Sequence, residues 1–100
     1  MIIGSPKEIL KGENRVALTP ESAKHLQRLG YSCFLDCGAG INANFSDKDY
    51  KNAGVKIVKN SSELWKQSNI ILKVRGPEKS ELSKIKLNQQ VACLFFWVSF

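Results

Sequence analysis

Short apolar runs alternate with stretches long enough for one helix, and this restricts the fold more than any other feature of the sequence. The runs are Ile2–Ser5, Tyr31–Cys37, Val55–Val58, Ile70–Val74 and Val91–Val98. Ile70–Val74 is apolar on both faces apart from Lys73, as a strand covered from both sides must be. The intervening stretches carry helix signals. Thr19-Pro20-Glu21 supplies a capping hydroxyl, a proline where a missing N–H costs nothing, and a first-turn acid. Ala23, Leu26 and Leu29 share one face, and Gly30 stands where a left-handed stop is wanted. Ser46-Asp47-Lys48-Asp49 opens a second helix that Gly54 ends, and Ser61 or Ser62 caps a turn or two through Leu64 and Trp65. Trp65 is expected to plug that helix onto the sheet. Pro77 starts a last helix, with Glu78 and Glu81 early and Lys84 and Lys86 late, matching the helix dipole. The order predicts an α/β fold: an open, mainly parallel sheet with helices on both faces.

Several classes of protein are excluded. The longest apolar run, Val91–Val98, falls well short of the roughly 20 residues of a membrane-spanning helix. The first residues lack the basic start and long apolar stretch of a secretory signal. Cys33, Cys37 and Cys93 are too few, and odd in number, for a disulfide framework. In an extended segment Cys33 and Cys37 lie about 13 Å apart, too far to bond. No Cys-x-x-Cys pair occurs and the one histidine, His25, has no neighbouring ligand, so no metal site and reduced cytoplasmic thiols are expected. The net charge of +6 is spread from Lys7 to Lys86 with acids in between. It forms no basic stripe or aromatic platform, which argues against a nucleic-acid partner. The 100 residues suffice for one domain that hides about two-thirds of its extended surface. The apolar end, Val98-Ser99-Phe100, reads as the front piece of a longer, truncated sheet; a complete small protein is the alternative.

Ligands of open α/β sheets bind beyond the carboxyl ends of the strands. The polar connection Pro6–Leu18 is long for a compact domain and reads as a functional loop. It carries Arg15, while Lys73-Val74-Arg75-Gly76-Pro77 closes the fourth strand, so Arg15 and Lys73 can converge on one edge. Together they offer a planar fork and a point charge for a carboxylate or phosphate. Two unrelated surface cations is the simpler alternative. A lysine among Ile70, Ile71, Leu72 and Val74 is costly unless its ammonium reaches a cleft or a partner. Gly38-Ala39-Gly40 lacks the third glycine of a dinucleotide loop, because position 43 is Ala43, and the next helix begins only near Asp47. These glycines read as a tight strand exit. His25 reads as a helix-flank residue, and Trp97 fits either the core or the cleft near Lys73.

The blocks Ile3-Gly4-Ser5-Pro6-Lys7-Glu8 and Glu13-Asn14-Arg15-Val16-Ala17-Leu18-Thr19-Pro20 resemble the opening of the alanine dehydrogenase and nicotinamide nucleotide transhydrogenase superfamily. The resemblance continues through Leu29-Gly30, Gly38-Ala39-Gly40, Ala53-Gly54 and Ile71-Leu72-Lys73-Val74 followed by Pro77. It implies that residues 1–100 form an incomplete N-terminal lobe, flavodoxin-like or Rossmann-like, without the NAD-binding lobe that follows it in the family. By the same resemblance, Arg15 and Lys73 match the residues that grip the carboxylate and carbonyl of pyruvate in alanine dehydrogenases. The place of those enzymes' histidine is taken by Trp97, which points instead to the transhydrogenase alpha subunit. The implied parent activity is hydride transfer from NADH to NADP⁺ coupled to proton translocation, with NAD(H) and NADP(H) as cofactors. The implied partners are the remaining transhydrogenase domains or subunits, in a dimeric parent enzyme. The implied location is the cytoplasmic or matrix side, peripheral to the inner membrane. No residue of this chain is expected to be catalytic, and the chain alone is expected to be inactive and to bind no cofactor tightly. The alternatives are an alanine dehydrogenase lobe and a non-catalytic split-gene remnant or docking subunit.

Overall fold

A computed structural model describes residues 1–76, 78–93 and 97–99, the last group through its backbone alone. Strand β1 (Ile2–Ser5) lies centrally, paired in parallel with β2 (Ser32–Asp36) on one side and β4 (Ile70–Leu72) on the other. Outside these lie β3 (Lys56–Val58), parallel to β2, and β5 (Gln90–Ala92), parallel to β4. Strand β6 (Trp97–Ser99) runs antiparallel to β5 and completes the order β3-β2-β1-β4-β5-β6. The chain thus winds outward to β3 and returns to the far side of β1.

Local chemistry sets the helices. Thr19 and Ser22 exchange the reciprocal bonds of a capping box at the start of α1 (Pro20–Arg28), and Ser46 and Asp49 do the same for α2 (Asp47–Asn52). Gly30 and Gly54 follow these helices at φ 99° and 90°, a region that suits glycine. Helix α3 (Ser61–Gln67) begins differently from the expectation: Asn60 is its cap, accepting from the Ser62 N–H, while the Ser61 hydroxyl donates to Asp36. The last helix, α4 (Lys79–Leu82), is a single turn capped by Glu78. Lys84 and Lys86 therefore lie beyond it, and Pro77 lies outside the described residues.

The two faces of the sheet carry separate cores. Leu18, Ala23, Cys33, Leu35, Tyr50 and Val55 form one, with α1 and α2. Leu64, Trp65, Ile71 and Val91 form the other, with α3. Successive strand residues point to opposite faces, so Phe34 and Val58 join the second core while Leu35 and Ile57 serve the first. The open, mainly parallel sheet with helices on both faces is as expected, and Trp65 does seat α3 on it.

Strands β2 and β3 are trimmed by one residue at an end or both, and two other runs differ from the expectation by more. Ile70–Val74 ends at Leu72, which leaves Lys73 just past the strand. The single strand Val91–Val98 is two, with Ala92 opposite Trp97 and Val91 opposite Val98. The unbroken apolar run has no glycine, proline or asparagine to show in the sequence that it holds two strands and not one. The side chain of Trp97, expected in the core or the cleft, lies outside the described residues. Among the described residues, no helix is long and apolar enough to cross a membrane.

Candidate functional site

The strand order reverses direction between β1 and β4, the position at which open α/β sheets bind ligands. A cavity of about 480 Å³ opens there, lined by Arg15, Val16, Ala17, Leu72, Lys73, Val74, Ala92 and Cys93. Arg15 comes from the long loop after β1, and Lys73 from the exit of β4. The structure therefore brings both onto one cavity.

Their environments are opposite. The Arg15 side chain is 56% exposed at the mouth, while that of Lys73 is 1% exposed. Lys73 Nζ donates to Glu81 Oε2 at 3.1 Å and lies 3.3 Å from Glu8 Oε1. Glu8 is fixed further by the backbone N–H groups of Val74 and Arg75, at 3.0 and 3.2 Å. Glu81 turns its other oxygen to the Glu78 N–H at 2.9 Å. The cost of placing a lysine among apolar residues is thus offset by two carboxylates, one from the loop and one from α4.

A second cluster holds the mouth. Arg15 Nε and Nη2 make a paired contact with the two oxygens of Glu13, each at 2.9 Å, and Arg75 Nε donates to Glu13 Oε1 at 2.9 Å. The Arg15 side chain, then its backbone N–H, then Arg75, hold the Glu13 carboxyl well below the usual range, and the same contact raises Arg15. Arg15, Lys73 and Arg75 are matched by Glu8, Glu13 and Glu81, so these six charges cancel. The excess positive charge of the chain is not concentrated in this cluster.

These bonds order the loop that the sequence marks as functional. Glu8 and Glu13 tie it to the exit of β4, the Lys7 N–H donates to Asp36, and the Tyr50 hydroxyl donates to the Leu18 carbonyl at 2.7 Å. Arg15 therefore projects from a strapped loop. Glu8 and Glu81 are the residues that reading the sequence misses as site components, because Glu81 also satisfies the dipole rule for a helix start. An apolar strand exit that carries a lysine is the one signal that acids must lie nearby.

Neighbouring features do not extend the site. Cys93 lines the cavity, its thiol pushed up by burial and by Glu8 and Glu81 and lowered by Lys73. Cys33, Cys37 and Cys93 are all free thiols. His25 is exposed on α1, along a groove of about 650 Å³ that includes none of the strand-exit residues. Asp36, at the end of β2, accepts from the Lys7 N–H and Ser61, and burial raises its carboxyl.

The glycines after β2 do not fit a dinucleotide. They lead through a short 3₁₀ turn (Ile41–Ala43), not into an α-helix whose N-terminus could face a pyrophosphate. A Cβ on Gly40 would lie 2.5 Å from Tyr50 Cε2, so the space the glycine leaves is filled by the protein's own tyrosine.

Residues 4–99 match the family model described as alanine dehydrogenase/PNT, N-terminal domain. The chain is 45% identical over 97 residues to the NAD(P) transhydrogenase subunit alpha of Cereibacter sphaeroides, covering 97% of this chain and 18% of that protein. It is 37% identical over 89 residues to the alanine dehydrogenase of Mycolicibacterium smegmatis, covering 89% of this chain and 24% of that protein. Its fold superposes on the crystal structure of a transhydrogenase from Sinorhizobium meliloti with a TM-score of 0.88 and 32% identity, covering 95% of this chain and 28% of that one. The chain thus spans 18–28% of the length of these relatives. This match, which runs from Gly4 to Ser99, places the chain in the alanine dehydrogenase/PNT N-terminal domain family.

Proposed function

We propose that this chain serves as the N-terminal part of a proton-translocating NAD(P) transhydrogenase alpha subunit, forming one wall of its cleft. The observation that carries this reading is the 45% identity to such a subunit along nearly the whole chain. Trp97, where the resemblance to alanine dehydrogenases calls for a histidine, supports the same choice. In this reading the parent enzyme passes a hydride from NADH to NADP⁺, and both nucleotides are held by lobes outside these residues. The parent's other domains or subunits are the partners, within a dimer, and they hold this lobe on the cytoplasmic or matrix side of the membrane.

The chain's own residues shape and anchor. Arg15 presents a guanidinium fork at the mouth of the cavity, and Glu13 fixes its direction. Lys73 stands behind it as a shielded ammonium. None of them moves a hydride, a step that needs two nicotinamide rings held face to face.

Grafting tests the reading. Residues 4–99 replace the matching segment of the Cereibacter sphaeroides subunit, and the assembled enzyme is assayed for hydride transfer and for alanine-dependent reduction of NAD⁺. Transhydrogenation within about tenfold of the parent is expected. Its loss in a folded, assembled chimera refutes the reading, and alanine-dependent activity favours the dehydrogenase lobe, to which the 37% identity also points. Calorimetry of the isolated chain with NADH is expected to show no tight binding.

A further inference from the structure

The Lys73 ammonium lines a ligand-sized cavity yet is spent on the protein itself. Its two acids are held very differently. Glu8 is immobilised by the backbone N–H groups of Val74 and Arg75, in addition to Lys73. Glu81 Oε2 bonds Lys73, while Oε1 bonds only the start of its own helix. That helix is one turn long, and Glu81 is its sole buried side chain; Lys79, Ser80 and Leu82 are exposed. Helices normally dock through an apolar stripe. α4 docks through one charge, on the lysine that faces the cavity.

We infer that Glu81 is an internal occupant of the Lys73 subsite: a ligand carboxylate that reaches Lys73 displaces Glu81, and α4 is released as the ligand enters. The inference rests on the reading of this cavity as part of the parent enzyme's cleft, assigns a small carboxylate to it, and adds a regulatory element. The physical basis is a difference in contacts between two states. With α4 docked, Lys73 meets two carboxylates and is shielded from solvent. With α4 undocked, Glu81 regains water and Lys73 keeps Glu8 plus the ligand. Arg15, exposed at the mouth, has its Nε and Nη2 on Glu13 and supplies the first contact through the outward Nη1 edge of the guanidinium. By linkage, whatever favours undocking of α4 tightens ligand binding by the same factor.

Hydrogen exchange on the full chain tests this, with pyruvate as the carboxylate probe. In Glu81→Gln without ligand, the hydrogen-bonded amides of residues 81, 82 and 84 are expected to exchange about tenfold faster than in the wild type, while those of β1 and β2 are unchanged. Glu81→Asp, which keeps the charge but shortens the reach, gives a smaller rise and serves if the glutamine variant does not fold. Saturating pyruvate speeds the same amides in the wild type, and Glu81→Gln binds pyruvate about tenfold more tightly. Unchanged exchange in both variants overturns the docking role of Glu81. Pyruvate binding that leaves the amides of residues 81, 82 and 84 unchanged or protected overturns the displacement. Faster exchange in the variants with no pyruvate binding to any protein overturns the inference through the cleft reading, and leaves the docking contact in place.

Discussion

Replacing Lys73 with methionine tests the centre of the site. The substitution shortens the unbranched side chain by one atom and removes one ammonium from between two buried carboxylates. At 3.1 and 3.3 Å, with an effective dielectric of about 20, each contact has a gross attraction of about 5 kcal/mol. Desolvation of the three ions costs several kcal/mol apiece, so the intact cluster contributes little net stability. Truncation is another matter, since the desolvation of the two acids remains and their counter-ion is gone. The expected loss is about 3–5 kcal/mol, a large share of the 5–15 kcal/mol typical of a domain. Urea unfolding measures it as a drop in midpoint at constant slope. The double variant Lys73→Met with Glu81→Gln is expected to recover at least about 1 kcal/mol, because one orphaned charge has been removed. A single-variant loss below about 1 kcal/mol refutes the reasoning, since two buried acids without a cation cannot be that cheap.

Gly4→Ala places a Cβ 1.9 Å from Ser68 Oγ and 3.2 Å from Leu64 Cδ2, and α3 must lift from β1. A loss of about 2–3 kcal/mol in urea is expected, and a loss below about 0.5 kcal/mol contradicts the close packing. Tyr50, pushed up to about 12 mainly by burial and then by Asp47 and Asp49, keeps its proton in the fold after the unfolded chain has lost it. Stability therefore falls as pH rises from about 10 towards that value, and Tyr50→Phe removes this alkaline slope. The same variant leaves the Leu18 carbonyl without its donor and costs about 1–2 kcal/mol at neutral pH. The Glu13 carboxyl is depressed, so its contribution is whole above the ordinary value of about 4.3 and fades as pH falls through the folded value. Unfolding midpoints of Glu13→Gln should depend less steeply on acid than those of the wild type, and an identical acid slope rejects the stabilising role of the contacts of Glu13 with Arg15 and Arg75.

What the sequence revealed, and what it hid, follows from the range of the interactions. The caps at Thr19 and Ser46 are legible because donor and acceptor sit three residues apart. Strand β2 and the two-sided character of β4 are legible because apolar patterning is local. The partner of Lys73 is not, since Glu8 reaches the Val74 backbone across 66 positions. Glu81 illustrates a subtler failure: the dipole rule correctly marks an acid in the first turn, but it gives the position and not the direction of the side chain. Asn60 takes the cap from Ser61 for a similar reason, as buried Asp36 claims the serine hydroxyl. That Arg15 and Lys73 can share one strand-end edge follows from the topology of parallel sheets, although two unrelated surface cations is the simpler reading of the spacing, whereas the three acids that neutralise that edge show only in the folded chain.

The central place of β1 has a consequence for biosynthesis. Ile3 pairs with Cys33 on one side and with Ile70 on the other. Ribosomes add about 5–20 residues per second, so the second neighbour arrives about 3–13 s after the strand it must join. Once β2 is complete, for about the last 2–7 s of that wait, β1 presents a bare backbone edge on the side that β4 will fill, and slowing translation between Gly54 and Ile70 would lengthen the interval in which misassociation competes with native pairing.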